Sequence, residues 1–415
     1  MKKTPERVRY EKEKRITDAI QLKIPDRVPV ITSMGYFPAK YTGIPCSAAY
    51  YDYDAWYEAY RKTLKDFPAD IIFQQPFMPG KALEIIDPKQ HRWPGYGVEP
   101  YQGHQAIEIE NMEAEDYDDF ISDPSDYIFR IHLSRVSDKL AGLAGLPKLS
   151  SMGNGWMGAQ MLAMTMASPE VSRAFETLLK AGREMRKWQK KMARFNKMVL
   201  DMGFPQYFQG AAMPPFDVIS HSMRGMAGTM LDMFRQPDKV QTACEKILEL
   251  TLARPTPPPG EFGNTRIFMT NTRGSDDFMS EKQFDTFYWP TFKKLVMALI
   301  QRGMTPCIFF EGNFTSRLEY LLQFPKGKLL VRLDTTDIFR AKEILKDHLC
   351  IEGNVPSSLL QVGSVRDVED YCKKLIDVVG EGGGFILAPR SSTDEVKPEN
   401  LKAMIEFTQE YGKYN

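Results

Sequence analysis

Charged and amide side chains directly follow short apolar segments in the second half of the chain. The stretch PCIFFEGNFTSR places Glu311 just after CIFF, and the same EGN motif returns 41 residues later in LCIEGNVPSS. In LLVRLD, Leu330, Arg332 and Asp334 share one face if the segment is a strand, because successive strand residues point to opposite sides. An inward-facing arginine can bind an anionic group, and a carboxyl group beside it can protonate a leaving atom.

We therefore predict Glu311, Arg332 and Asp334 as catalytic residues, with Glu311 and Arg332 as the working pair. A purely structural ion pair is the alternative. None of the five histidines directly follows a predicted strand, so the sequence predicts neither histidine acid–base catalysis nor a histidine-rich metal centre. Polar and aromatic residues in the corresponding loops are the predicted substrate-binding set for a small or medium organic molecule: Tyr36, Gln75, Asn154, Trp156, Arg273, Asn313, Asn354 and Arg390.

Strands and helices must alternate to position these residues. Five strand–helix units follow one another in the second half, with strands predicted at 266–270, 307–310, 329–334, 349–353 and 384–388. Three more strands are predicted at 27–32, 70–73 and 146–153. Eight such units predict a (β/α)8 (TIM) barrel, whose active site lies at the carboxyl ends of the strands. A doubly wound open sheet is the alternative, but neither GxGxxG after the first strand nor GxxxxGK[ST] occurs.

The predicted domain organisation is one barrel with additions. We expect an N-terminal helical extension at 1–26, a barrel over 27–415, and helical insertions near 115–145 and 168–250. The loops predicted to form the barrel mouth are 33–41, 74–80, 151–158, 273–278, 311–314, 332–337, 354–356 and 390–393.

Composition narrows the classes of partner. The 415 residues include 54 basic and 54 acidic ones, and this balance argues against nucleic-acid or membrane binding through a basic surface. No apolar run reaches the length of a membrane span, and the charged N-terminus is unlike a secretory signal. Five scattered cysteines without a CxxC motif indicate reduced thiols and a cytoplasmic location.

Several segments carry a family resemblance that covers nearly the whole chain. They are RVPV, DIIFQQ, GSDDFMSEKQFDTFYWPTFKKLV, FFEGN, LDTTDIFRAKEIL, IEGNVPSSLL and GGGFILAPRSSTDEVKPENLKAM. With them the chain resembles the uroporphyrinogen decarboxylase superfamily, a group of (β/α)8 barrels that also contains cobalamin-dependent methyltransferases. Uroporphyrinogen decarboxylation itself is not expected. The loop SMGYFPAKY lacks the arginines that hold the porphyrinogen in that enzyme, and Gln75 stands where its catalytic aspartate would be.

The methyltransferase branch fits the sequence better, although the zinc ligands of its members are replaced. Thiol-methylating members use a His-x-Cys motif and a later cysteine, and the matching positions here are Phe309, Glu311 and Ser391. Ether-demethylating members use two glutamates and a histidine, and Arg332 takes the place of the histidine. Only Glu311 remains, whereas zinc needs three or four donors, so no tightly bound zinc is expected.

The resemblance implies transfer of a methyl group from a small methoxylated or methylated substrate to a corrinoid protein, which would supply the methylcobalamin cofactor. In this reading Arg332 and Glu311 stabilise the leaving atom. The alternative is a metal-free decarboxylase or lyase, with Arg332 and Arg390 binding a small carboxylate substrate. A non-catalytic binding barrel is the third reading, and a homodimer stays open.

Overall fold

Eight short strands form the centre of the fold. The computed structural model describes residues 3–73, 77–153 and 155–414. Within these ranges the central strands are β1 (Ile31–Ser33), β2 (Ile71–Phe73), β3 (Gly210–Ala212), β4 (Arg266–Asn271), β5 (Thr305–Phe310), β6 (Leu330–Leu333), β7 (Cys350–Val355) and β8 (Phe385–Pro389).

These strands close into a ring in chain order. Strands β3 to β8 form one parallel sheet, and β1 pairs in parallel with β2. A parallel bridge between Val30 and Leu387 joins β1 to β8. On the other side, Phe73 of β2 packs against Phe208, just before β3, with 5.4 Å between the ring centroids. The predicted (β/α)8 barrel is confirmed.

Helices surround and extend this barrel. The α-helices are Pro5–Ile20, Phe37–Thr42, Tyr53–Asp66, Gly80–Ile86, Tyr117–Ser122, Pro124–Asp126, Leu133–Val136, Gly155–Met166, Pro169–Asp201, Pro215–Val218, Met226–Arg235, Pro237–Leu252, Glu281–Gln283, Trp289–Gln301, Ile338–Leu345, Ser357–Val362, Val365–Val378 and Pro398–Tyr411. Segments of 3-10 helix span Cys46–Ala49, Ala114–Asp116, Asp138–Gly145, Leu149–Ser151 and Thr315–Gln323, and π-helical turns span Tyr127–His132, Ile219–Met223 and Phe284–Tyr288. Within the described ranges, none of the helices combines the length and apolarity that a membrane crossing requires.

The third strand lies elsewhere than predicted. The stretch 146–153 contains the short 3-10 helix Leu149–Ser151, so the strand predicted there is wrong. The true third strand, Gly210–Ala212, lies inside the stretch 168–250 that was predicted as a helical insertion. It has three small residues and is flanked by prolines on both sides, so its sequence has almost none of the apolar pattern by which strands are recognised.

A large helical insertion separates β2 from β3. It ends in the 33-residue helix Pro169–Asp201, which at 1.5 Å per residue is about 50 Å long. An apolar cluster that includes Leu140, Leu143 and Val171 holds the insertion together. Between β2 and the helices of this insertion, three short strands form a small separate sheet: His91–Pro94, Gly97–Val98 and Gln105–Ala106.

The N-terminal helix Pro5–Ile20 plugs the amino-terminal end of the barrel. Its residues Ile16, Ala19 and Ile20 share one buried cluster with inward-facing barrel residues such as Leu330. Glu13 of this helix accepts two hydrogen bonds from the guanidinium of Arg266, of 2.8 and 2.7 Å, at the first residue of β4. Both side chains are almost fully buried, so this ion pair fixes the helix to the barrel.

The Glu13–Arg266 pair yields a stability prediction. Glu13→Ala should lower the free energy of unfolding by about 3–5 kcal/mol, because it leaves the guanidinium buried without its counter-charge. Glu11→Ala on the same helix is the matched control. Glu11 is paired near the surface, where such pairs contribute at most about 1 kcal/mol. Urea unfolding followed by circular dichroism measures both, and equal losses would contradict the role given to Glu13.

Candidate functional site

The inner faces of β6 and β7 bring an arginine and a glutamate together inside the barrel. The strand register places Arg332 level with Phe309 of β5 on one side and with Glu352 of β7 on the other. The Arg332 Nε atom lies 3.5 Å from Glu352 Oε1, and both side chains are buried. The guanidinium carbon of Arg332 also lies 5.0 Å from the centroid of the Phe309 ring. Arg332 is thus held between a carboxylate and an aromatic face.

Tyr207 completes this group from the segment before β3. Its hydroxyl donates a 2.5 Å hydrogen bond to Glu352 Oε2. Burial raises the pKa of the Glu352 carboxyl above its ordinary value, against the opposing effects of Arg332 and of the hydrogen bond from Tyr207. Burial, with the nearby charge of Glu352, also raises the pKa of Tyr207 well above its ordinary value. The group therefore holds a proton beside a cation, which is what general acid catalysis needs.

The predicted pairing of Glu311 with Arg332 is not found among the described residues. Glu311 lies beyond the end of β5, two residues past Phe309, and so stands one inward-facing layer nearer the mouth than Arg332. Its side chain is exposed, and its Oε2 atom accepts a 3.2 Å hydrogen bond from the Thr272 hydroxyl. The partner of Arg332 is Glu352, because the register puts these two residues at the same level.

Asp334 and Arg390 lie at the mouth. Asp334 Oδ2 accepts a 3.0 Å hydrogen bond from the backbone of Gly312, which turns with a φ of +100°. The Arg390 Nε atom lies 3.9 Å from Asp334 Oδ1. Burial raises the pKa of Asp334, while the Gly312 amide and the charges of Arg390 and Arg332 oppose the shift. A carboxylate and an arginine therefore face each other at the mouth.

The two predicted asparagines mainly shape loops. Asn313 accepts hydrogen bonds from the Thr315 amide and hydroxyl, which starts the 3-10 helix that follows β5. The Asn354 amide group donates to the carbonyl oxygens of Asp334 and Thr336 and so ties β7 to the loop after β6. The Asn354 Oδ1 atom is buried and has no hydrogen-bond partner among the described residues.

Arg273 meets a histidine after β4. One of its guanidinium nitrogens lies 3.3 Å from His221 Nδ1 and 3.8 Å from Glu108 Oε2. Because arginine can only donate, Nδ1 of His221 accepts and its ring proton sits on Nε2. Burial and the charge of Arg273 lower the pKa of His221 to about 4, so the ring is neutral at pH 7.

Asp217 fixes the loop that carries Arg273. Its carboxylate accepts hydrogen bonds from the backbone amides of Thr272 and Arg273 and from the hydroxyl of Tyr288, the last at 2.7 Å. Burial raises the pKa of Asp217 to about 6, although these hydrogen bonds act against the shift. The carboxylate is thus a buried anchor for the β4 loop.

Tyr36 joins the loop after β1 to the small sheet. Its hydroxyl lies 3.0 Å from the Tyr50 hydroxyl and 3.0 Å from His104 Nδ1. Its backbone amide donates to Asp394 Oδ1 at 2.7 Å. Asp394 packs directly over Gly35, where an added Cβ would lie 1.7 Å from Oδ1, so only glycine fits there. Tyr36 is therefore buried and fully engaged, and it holds the segment around His104 against the barrel.

Three predicted substrate-binding residues remain, namely Trp156, Gln75 and Asn154. Trp156 is 71% exposed on the helix Gly155–Met166 of the insertion. Gln75 and Asn154 lie outside the described residues. Among the residues that are described, no group of three or more His, Cys, Asp or Glu side chains could hold a metal ion. At the zinc-ligand positions that the family resemblance implies, Phe309 and Arg332 carry no side-chain donor of the kind that zinc binds.

Sequence reasoning missed Tyr207, Glu352, His221 and Asp217. The alternation rule that placed Arg332 inward also applies to CIEGNV, and it would have placed Cys350, Glu352 and Asn354 on the inner face. The other three residues surround β3, and no prediction for them was available without that strand.

The closed parallel barrel places this chain among the (β/α)8-barrel proteins. Acidic, amide and arginine side chains lie at the carboxyl ends of its strands, where the active sites of such barrels are found. Residues 206–411 match the family described as uroporphyrinogen decarboxylase (URO-D). Over these residues the match confirms the resemblance to this family that the motifs predicted.

A comparison with solved structures finds a protein of similar fold. A methyltransferase from Methanosarcina mazei has a similar structure, with a TM-score of 0.59 and 15% sequence identity over 96% of this chain and 98% of that chain. At this identity the likeness concerns the fold. No curated protein matches the chain.

The pKa of Asp217 predicts a pH effect on stability. Its folded value of about 6 lies above its ordinary value of 3.8, so the folded state binds this proton more strongly than the unfolded chain does. The resulting stabilisation is present at low pH and is lost as the pH rises through 6. Between pH 7 and pH 5, wild type should therefore gain about 1 kcal/mol more in free energy of unfolding than Asp217→Asn does. Urea titrations at both pH values measure this, and parallel pH dependences would contradict it.

Proposed function

We propose that this protein is a methyltransferase that moves a methyl group from a small methoxylated or methylated substrate to a corrinoid protein. The observation that carries the proposal is the buried group of Tyr207, Glu352 and Arg332. It combines a held proton with a positive charge at the inner end of the barrel mouth. The methyltransferase from Methanosarcina mazei, which shares the fold over nearly its full length, supports the same class of reaction.

In this reaction the protein must stabilise the oxygen or nitrogen atom from which the methyl group departs. When a methyl group departs from oxygen or nitrogen, that atom keeps the bonding electron pair and needs a proton. The proton shared by Glu352 and Tyr207 meets this need, and the charge of Arg332 stabilises the developing anion. The corrinoid of the partner protein supplies the nucleophile that accepts the methyl group. The proposed reaction does not use zinc, because the side chains at the positions of the zinc ligands in related enzymes do not fit that metal.

Side chains nearer the mouth are suited to binding. Arg390 and Asp334 offer a cation and an acceptor, and the unpartnered Oδ1 atom of Asn354 offers a second acceptor. A small substrate with a polar or anionic substituent can be held there while its methyl-bearing atom reaches inward to Arg332.

Decarboxylation of a small carboxylate substrate is the second candidate. Among the described residues the only ion pair of Arg332 is the 3.5 Å contact with Glu352, and its Nε atom has no hydrogen bond, so the guanidinium could bind a substrate carboxylate. A proton from the Tyr207–Glu352 pair would then be delivered to the carbon from which carbon dioxide leaves.

One assay separates the two candidates. Purified protein is given a panel of methoxylated aromatic acids and methylated amines, with free reduced cobalamin as the methyl acceptor, and the methylated cobalamin is followed by absorbance. A parallel panel of small carboxylates is scored for release of carbon dioxide. Methyl transfer with no release of carbon dioxide is expected, and the reverse result would replace the proposal by the decarboxylase.

Variants test the residues in the same assay. Glu352→Gln should lower kcat roughly a hundredfold or more, the usual scale for loss of an acid–base group, and Tyr207→Phe should lower it less. Glu311→Gln is the matched control, because it changes the same residue type in the same EGN motif one layer nearer the mouth, and its kcat should stay near wild type. A large loss in Glu311→Gln with full activity in Glu352→Gln would return the role to Glu311.

A further inference from the structure

The helix Gly155–Met166 exposes an apolar surface that no other part of the described chain covers. Its large side chains are exposed by 71% at Trp156, 56% at Met157, 48% at Met161, 78% at Met164 and 36% at Met166. A soluble helix normally buries its apolar stripe and exposes charged residues. Here only Gly158 is buried, and Leu162 is the side chain that packs on the cluster beneath. The helix therefore lacks a partner on most of its surface.

The sequence around this helix contains no charged residues. From 149 to 169 no acidic or basic residue and no histidine occurs, although charged residues are 26% of the chain. With roughly 200 Å² for each fully exposed side chain of this size, the five large residues expose on the order of 600 Å². That is most of the roughly 800 Å² that one partner contributes to a standard interface.

We propose that this methionine-rich surface is the interface of a homodimer, covered by the same helix of a second copy of the chain. Charge-free, apolar surfaces with methionine and tryptophan are typical of permanent homodimers, whereas partners that come and go meet through more polar surfaces. A corrinoid protein has to leave after each methyl transfer and would expose this surface every time. A second copy of the chain is always present and keeps it covered.

The composition of the helix suits contact with its own copy. Across a two-fold axis each helix packs against the same helix of the partner, so one self-complementary surface is sufficient. The exposed small residues Ala159 and Ala163 allow the backbones to approach, and the flexible methionine side chains fill the gaps between them. The interface does not depend on the reaction that the barrel catalyses.

Sedimentation equilibrium of the full chain at micromolar concentration tests the proposal. Wild type should have twice the mass of one chain, and Met164→Glu should have the mass of a single chain with an unchanged circular dichroism spectrum. Val362→Glu is the matched control, because Val362 is also 78% exposed but lies at the end of the helix Ser357–Val362. It should remain a dimer. Wild type at single-chain mass, or a dimer in all three proteins, would overturn the proposal.

Oxidation of the unmodified protein gives an independent measurement. In a single chain Met164 is more exposed than Met226, which is 40% exposed, so hydrogen peroxide should oxidise it faster. In the dimer Met164 is covered and should be oxidised more slowly than Met226, as read by peptide mass spectrometry. Faster oxidation of Met164 at micromolar concentration would overturn the proposal. Binding of a single-chain wild type to anionic phospholipid vesicles would do so too, because it would assign the surface to a membrane.

Discussion

A buried column of paired polar groups runs through the barrel from its amino-terminal end toward its mouth. Glu13 binds Arg266, and the Arg266 Nε atom donates a 2.7 Å hydrogen bond to the carbonyl oxygen of Tyr207. The hydroxyl of the same tyrosine donates to Glu352, which faces Arg332. Charges in such a place are tolerated only when each has a partner, so these five residues constrain one another. The N-terminal helix is thereby linked to the candidate site.

The two copies of the EGN motif show how register decides chemistry. Glu311 follows the last residue of β5 and is exposed, whereas Glu352 lies within β7 and is buried. Burial raises the pKa of Glu352 because the charged form loses its hydration, and a carboxyl so placed holds a proton better than an exposed one. The glutamate of the same three-residue motif is therefore exposed after β5 but buried within β7. The difference arises because β5 ends before its glutamate, whereas β7 continues through its own.

The sequence predicts most of the barrel and part of its site, for identifiable reasons. Seven of the eight strands are apolar runs with polar turns, and alternation within LLVRLD correctly turns Arg332 inward. The remaining strand, β3 (Gly210–Ala212), consists of glycine and alanine and lacks the apolar pattern of a strand, so the surroundings of Tyr207 and Asp217 could not be predicted. The partner of Arg332 could not be chosen without knowing the register, since Glu311 and Glu352 both lie on neighbouring strands. Glu311 lies two residues beyond Phe309, which is the β5 residue at the level of Arg332, whereas Glu352 of β7 lies at that level itself.

The buried candidate site and the exposed apolar helix lie in different parts of this chain. The buried group of Tyr207, Arg332 and Glu352 lies within the residues that match the family, 206–411, and the exposed methionine-rich helix lies in the insertion before them. The insertion has an apolar cluster of its own, so its surface can change without repacking the barrel. Sites that share no partners contribute independently to stability. The exposed surface of such an insertion can therefore change while the buried column of the barrel stays the same.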